Sequence, residues 1–221
     1  MNYLFLFIEI ALIYFVMVLF YKYSKKEGLF IYISLMSSLL GIVMYENIDV
    51  FSFQCDLGIP IAMSVFICSN IIIHRYGSDE TGRIIKYFVF PYVVVNIILS
   101  LFSLVNYSNY SNNLFDSLFG YNLNNVRVFI GYLLSIGFML WYNSYMYYYL
   151  RKNKNSFLFS NIGTILIIQF IESIMFVFVS YVGIIDINLT FGIIVIRYLV
   201  KVFVGFMGLI PISVILKLKD R

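Results

Sequence analysis

The chain has 221 residues, of which 62% are hydrophobic and only 12% charged, with a mean hydropathy of +0.92 and a net charge of +4. A water-soluble domain could not cover itself with so few charges, so this composition calls for the bilayer as solvent. The small basic excess is what membrane topology produces, and it gives no reason to invoke nucleic acid.

Seven continuous apolar runs follow one another: Tyr3 to Tyr21, Leu29 to Tyr45, Leu57 to Ile73, Ile84 to Val105, Val128 to Leu150, Phe157 to Val182 and Phe191 to Leu216. A helix crosses the hydrocarbon core in about 20 residues, whereas a barrel strand needs only about 10, of alternating character. The runs therefore predict an all-α polytopic transmembrane helix bundle of about seven spans. The first run lacks a basic leader and a small-x-small cleavage site, and it is expected to be retained. Residues 1–221 read as a single membrane domain, with 1–27 an N-terminal helix and its basic loop, and 28–217 the remaining six spans. Spans two to four and five to seven would form two three-helix units of inverted topology, an architecture many transporters share.

Basic residues alternate between the loops. Lys22, Lys25 and Lys26 follow span one, Arg75, Arg83 and Lys86 follow span three, Arg151, Lys152 and Lys154 follow span five, and Lys217, Lys219 and Arg221 close the chain. The intervening loops carry acids instead: Glu46, Asp49 and Asp56 before span three, Asp116 in the Asn/Ser-rich stretch from Asn106 to Val126, and Asp186 before span seven. Lys and Arg accumulate on the cytoplasmic side, so the pattern predicts a multi-pass protein of the cell membrane with its N-terminus outside and its C-terminus inside.

Charges within the spans are costly and are by default functional candidates. Five titratable positions qualify: Glu9, His74, Glu172, Arg197 and Lys201. Glu9 lies outside the two units and reads as a residue facing a neighbour's polar group. Gln169, Glu172, Ser173 and Phe176 share one face of span six at i, i+3, i+4 and i+7, which assembles an amide, a carboxylate, a hydroxyl and a ring suited to a heterocycle. Arg197, Lys201, Gly205 and Gly208 are co-facial on span seven. The plainer alternative is a structural Glu172–Lys201 ion pair between two helices. Asn70 and His74 stack on one face of span three. One histidine excludes a His-based metal cage, and Cys55 and Cys68 give neither a ligand pattern nor a disulfide framework. The aromatic run Trp141 to Tyr149 reads as an interfacial belt.

The segment from Phe66 to Lys86, with Ser69-Asn70, His74-Arg75-Tyr76-Gly77 and a basic tail, resembles the T-D-I-x-x-E-x-Y-G-x-x-x-A-x-x-x-I motif of the queuosine precursor transporters, a vitamin-uptake-like family of bacterial membrane proteins. Further stretches agree in order: Asn47 with the Leu57-Gly58 turn, Ser160-Asn161 to Thr164 leading through Gln169 to Glu172 and Phe176, and Tyr198 to Lys201 leading to Pro211. This sequence departs from the pattern where Asn70 and His74 replace an Asp and a Glu, where Glu172 replaces an Asp, and where an acid before the last proline is absent. The resemblance implies import of 7-deazaguanine bases such as preQ0, preQ1 or queuine by a secondary or facilitative mechanism, without a cofactor. It implies substrate contacts from Asn70, Gln169, Glu172, Phe176, Tyr198 and Lys201, with Asn47, His74 and Arg197 as further candidates. A competing reading is the substrate-binding membrane subunit of an ATP-driven vitamin or base uptake complex. The chain has no GxxxxGK[ST] run of its own, so ATP would have to be supplied through a partner. The absence of HExxH, GxSxG and a second histidine argues against an intramembrane enzyme. Assembly into a homo-oligomer is left open.

Overall fold

The computed structural model describes residues 2–50, 53–102, 123–152 and 156–218. The stretch from Asn106 with Asp116, and the basic residues Lys154, Lys219 and Arg221, lie outside them. In chain order the elements are α1 (Asn2–Val43), β1 (Asn47–Val50), β2 (Phe53–Asp56), α2 (Gly58–Tyr76), a 3-10 turn (Ser78–Glu80), α3 (Thr81–Phe102), α4 (Leu123–Lys152), α5 (Phe157–Tyr181), α6 (Ile187–Met207) and α7 (Leu209–Lys217). Six helical segments are long and apolar enough to cross a membrane.

The first of these segments, Phe5–Val43, has 39 residues. As a straight helix it would run for about 58 Å, nearly twice the ~30 Å hydrocarbon core. It does not run straight. Lys25 adopts φ 48° and ψ −123°, outside the helical region. Beyond it the chain doubles back, so that the Tyr32 hydroxyl donates to Ile13 O at 3.3 Å and the Phe20 and Tyr32 rings lie 6.2 Å apart. Gly28 sits in the crook, where a Cβ would come within 2.1 Å of Phe20 O. The two arms of α1 therefore correspond to the first two spans read from the sequence, and the helix count of about seven stands.

The last span is broken as well. Pro211 occupies the first turn of α7, where no backbone N–H is needed, and the helix restarts at Gly208. The described residues add one feature to the helical reading, a short antiparallel hairpin in which Asn47 pairs with Asp56 and Val50 with Phe53.

α2 is the central helix, buried continuously from Gly58 to Ile73. It leans on α1, α4 and α6, and α3 packs chiefly on α1 and α4. In the second unit α5 is the shared partner of α4 and α6. The outer surface is apolar, with Phe15, Phe90, Phe178 and Phe191 all exposed, while Asn70, Gln169, Glu172, Arg197 and Lys201 are buried within. This inverts the soluble pattern and is what a lipid solvent favours.

The basic loops converge on one end of the bundle. There Lys26 pairs with Glu80 at 2.8 Å, and Arg83 reaches Glu80 at 3.3 Å and Glu27 at 3.4 Å. Arg75 donates to Ile215 O and Leu218 O at 2.7 and 2.9 Å, tying α2 to the last turn of α7. Trp141, Tyr145, Tyr148 and Tyr149 are exposed on the half of α4 that runs to this end, as a belt requires.

Candidate functional site

Two acids and two bases meet in the interior on the side of the hairpin. Glu172 projects from α5 and Lys201 from α6, and they form an ion pair with each side chain 1% exposed. Arg197, one turn from Lys201 on the same face of α6, is paired with Asp56 at the end of β2 and lies 3.7 Å from Glu172 Oε1. The four charges sum to zero. A buried ion costs several kcal/mol unless it is matched in this way.

Neutral groups complete the set. Ser135 on α4 donates to Glu172 Oε1 at 2.9 Å, and the Tyr132 hydroxyl donates to Asp56. The Arg197 guanidinium lies 3.6 Å from the Phe176 ring centroid and 4.9 Å from that of Tyr132, and the two rings are 4.5 Å apart at 57°. Such contacts suit a guanidinium, which is planar, weakly hydrated and attracted to aromatic faces. Asp56 reaches this depth because α2 starts only at Gly58, next to the Tyr132 hydroxyl, so its positive N-terminal end lies beside the carboxylate.

Gln169 lies one turn from Glu172 towards the basic end. Its amide nitrogen donates only to Met139 Sδ, at 3.3 Å, and its Oε1 has no hydrogen-bond partner among the described residues although the side chain is fully buried. A buried amide oxygen left unpaired costs roughly 1–3 kcal/mol, which makes Gln169 a natural contact for a polar ligand.

Nearer the basic end is a second polar cluster. Asn143 on α4 donates to Asn70 Oδ1 at 2.5 Å and to Ser69 Oγ at 3.0 Å, and Asn70 in turn donates to Asn161 Oδ1 at 2.9 Å and Thr164 Oγ1 at 3.4 Å on α5. Asn161 and Glu172 are three turns apart, about 16 Å along α5, too far for one small base to touch both. The structure thus gathers Gln169, Glu172, Phe176, Arg197 and Lys201 in one place and puts Asn70 in another.

His74 and Tyr198 lie apart from the charge cluster. His74 is half-buried with its ring 4.3 Å from Phe157. Tyr198 donates to Leu166 O at 3.2 Å and packs edge-on to Phe170, on the outer side of α6. Asn47 opens β1, opposite Asp56 in register. Gly205 and Gly208 receive Met63 and Ile67 of α2, so their smallness serves helix packing.

Asp56, Tyr132, Ser135 and Asn143 were not among the residues singled out from sequence. Charge accounting could have shown that an acid was missing, because Glu172 balances only one of the two cations on α6, but it does not single out Asp56 among the acids of the loops.

Residues 56–216 match the family model described as "Putative vitamin uptake transporter". A "Probable queuosine precursor transporter" of Bacillus subtilis (strain 168) is 23% identical over 206 residues, covering 90% of this chain and 88% of that protein. No solved structure matches the chain. The resemblance carried by Phe66 to Lys86 is borne out, for a divergent sequence, and the protein is a multi-pass membrane protein of a transporter family. The family match begins at Asp56, the residue that completes the buried charge cluster, and runs through both of its cations; the chain belongs to the vitamin uptake transporter family.

Proposed function

We propose that this chain imports 7-deazaguanine bases, the precursors of the tRNA nucleoside queuosine, by a secondary or facilitative mechanism. The observation that carries this reading is the buried Glu172 carboxylate one turn from Phe176 on the same buried face of α5, with the unpaired Gln169 oxygen one turn away on the other side. A guanine-type edge presents an N–H and an amino group side by side, and one carboxylate accepts both as parallel hydrogen bonds. The Gln169 amide meets remaining polar atoms of the base, and Phe176 stacks on its plane. A base lacking the amino group would leave part of a buried carboxylate unmatched, which penalises it strongly. Lys201 is the ion-pair partner of Glu172 and balances its charge within the bundle. The name of the Bacillus subtilis relative supports the same substrate class.

The basic end is assigned to the cytoplasm and the hairpin end to the outside, by the excess of Lys and Arg in cytoplasmic loops. The base then arrives from the hairpin end. The test is uptake of labelled preQ0, preQ1 and queuine by cells that cannot synthesise them. Accumulation of at least one base above the empty-vector level is expected, and its absence at verified membrane expression overturns the assignment. Purified chain reconstituted alone in liposomes separates the mechanisms, because a facilitator or secondary carrier works there without an ATPase.

A further inference from the structure

Among the groups in the charge cluster, the Arg197 head has an unusual placement. It is a flat N–C–N unit lying on Phe176, with one nitrogen paired to Asp56 and another directed at Glu172. The edge of a 2-aminopyrimidinone ring, the part of a guanine-like base that carries its N–H and amino donors, is also a flat N–C–N unit with parallel N–H groups. A carboxylate receives either one in the same way, and an aromatic face stacks on either.

We propose that the Arg197 guanidinium is an internal stand-in for the ligand's N–C–N edge, and that the ligand binds by displacing it from Glu172 and from the face of Phe176. This rests on the reading of the cluster as the binding site. The contacts differ in how readily they yield. Arg197 NH2 is 3.7 Å from Glu172 Oε1, beyond hydrogen-bonding distance, and Arg197 Nε has no hydrogen-bond partner among the described residues. The pairing with Asp56 is by contrast direct. The ligand therefore takes the Glu172 side, and Arg197 withdraws together with Asp56. Since Asp56 ends β2, withdrawal of the pair shifts the end of that strand, and occupancy of the site is coupled to it. Glu172 remains neutralised by Lys201 throughout, so an uncharged base can replace the cation there without stranding the carboxylate.

The stand-in can be removed and replaced from solution. Arg197→Ala leaves a space the size of a guanidinium ion between Phe176 and two carboxylates. In the purified full-length chain, millimolar guanidinium chloride is expected to raise the Tm of Arg197→Ala saturably, while leaving wild type unmoved. Neutral urea of the same shape and sodium chloride of the same ionic strength should not do so. Should the unbalanced Asp56 prevent folding, Asp56→Asn/Arg197→Ala restores neutrality, and the probe becomes the uncharged base isocytosine. Isocytosine should stabilise the double variant at concentrations at least about tenfold below those needed for pyrimidin-4-one, which lacks the amino group. A folded variant that binds isocytosine no better than pyrimidin-4-one overturns the proposal, whatever its response to guanidinium, which the cavity of any buried arginine would give. The outcome is separable from the substrate assignment. Rescue without 7-deazaguanine uptake would leave the stand-in intact and remove the substrate, and uptake without rescue would do the reverse.

Discussion

Lys201 on α6 is ion-paired with Glu172 on α5, both side chains being shut away from solvent at the centre of the bundle. Neither can be hydrated from the membrane surface, so each serves as the other's counter-charge. Lys217, at the end of α7, is exposed and can stay hydrated. Lys201→Met should therefore impair uptake about tenfold or more, the factor that accompanies a loss of about 1.4 kcal/mol. Lys217→Met should leave uptake near wild type at matched membrane expression. Equal uptake by the two variants would reduce Lys201 to a packing residue.

Asp56 holds Arg197 and accepts from Tyr132, and its loss is expected to be felt as stability. Asp56→Asn leaves a buried guanidinium without its counter-charge and should cost about 3–5 kcal/mol. Tyr132→Phe removes one hydrogen bond to a charged group, about 1.5–3 kcal/mol. Thermal unfolding in detergent should rank Asp56→Asn below Tyr132→Phe, and adding Arg197→Ala to Asp56→Asn should recover part of the loss. A double variant less stable than both single variants would contradict the pairing.

The spans were legible because their physics is local: about 20 apolar residues and basic clusters at alternate ends act within a few residues. The break of the last span at Gly208 was not legible, since the sequence reads as one run from Phe191 to Leu216. The buried charges Glu172, Arg197 and Lys201 were equally legible, since a membrane makes any charge conspicuous. Asp56 was not, because its neighbourhood reads as a loop and only the depth at which α2 begins carries it to Arg197. Asn143 sits in a tyrosine-rich helix, and nothing near it in sequence indicates that Asn70 will be its partner. Tyr198 follows Arg197 by one residue, about 100° round the helix, so once Arg197 and Lys201 face inwards it must point away. The separation of Asn70 from Glu172 follows from the docking of Asn70 on Asn161 and Thr164 of α5, which no single helix encodes.

The doubling back of α1 predicts a sharp effect at Gly28, whose Cβ position is filled by the backbone of Phe20. Backbone cannot rotate away as a side chain can. Gly28→Ala should force the arms apart and cost about 1–3 kcal/mol, the usual range for overpacking. Gly82→Ala is the comparison, because nothing lies within 4 Å of that position. A Tm for Gly28→Ala equal to that of Gly82→Ala would show that the arms are not packed in this way.

The assigned orientation is open to cysteine labelling in a background lacking Cys55 and Cys68. A thiol at Glu46, beside the hairpin, should react with an impermeant maleimide added to intact cells, and one at Lys152 should react only after lysis. The opposite pattern would reverse the topology and with it the side from which the base arrives.

The sharpest test of the substrate contact is Glu172→Gln. The change keeps the size of the side chain but replaces an acceptor oxygen with a donor, so that a donor faces the donors of the guanine-like edge. Binding of 7-deazaguanines should weaken by about 2–3 kcal/mol, roughly 30-fold to 150-fold. Glu172→Asp keeps the carboxylate and should be milder, although the shorter side chain must reach both Ser135 and Lys201, which Glu172 contacts together. Stability has to be measured in parallel, since Glu172→Gln also strips Lys201 of its partner and can destabilise the fold by about 3–5 kcal/mol by itself. Pairing it with Lys201→Met separates the two effects. The double variant removes both charges and should regain thermal stability, yet it should still bind the base poorly because the acceptor pair is gone. If the folded Glu172→Gln protein bound 7-deazaguanines with wild-type affinity, Glu172 would be a structural counter-ion of Lys201 and Arg197, and the base would have to be held elsewhere.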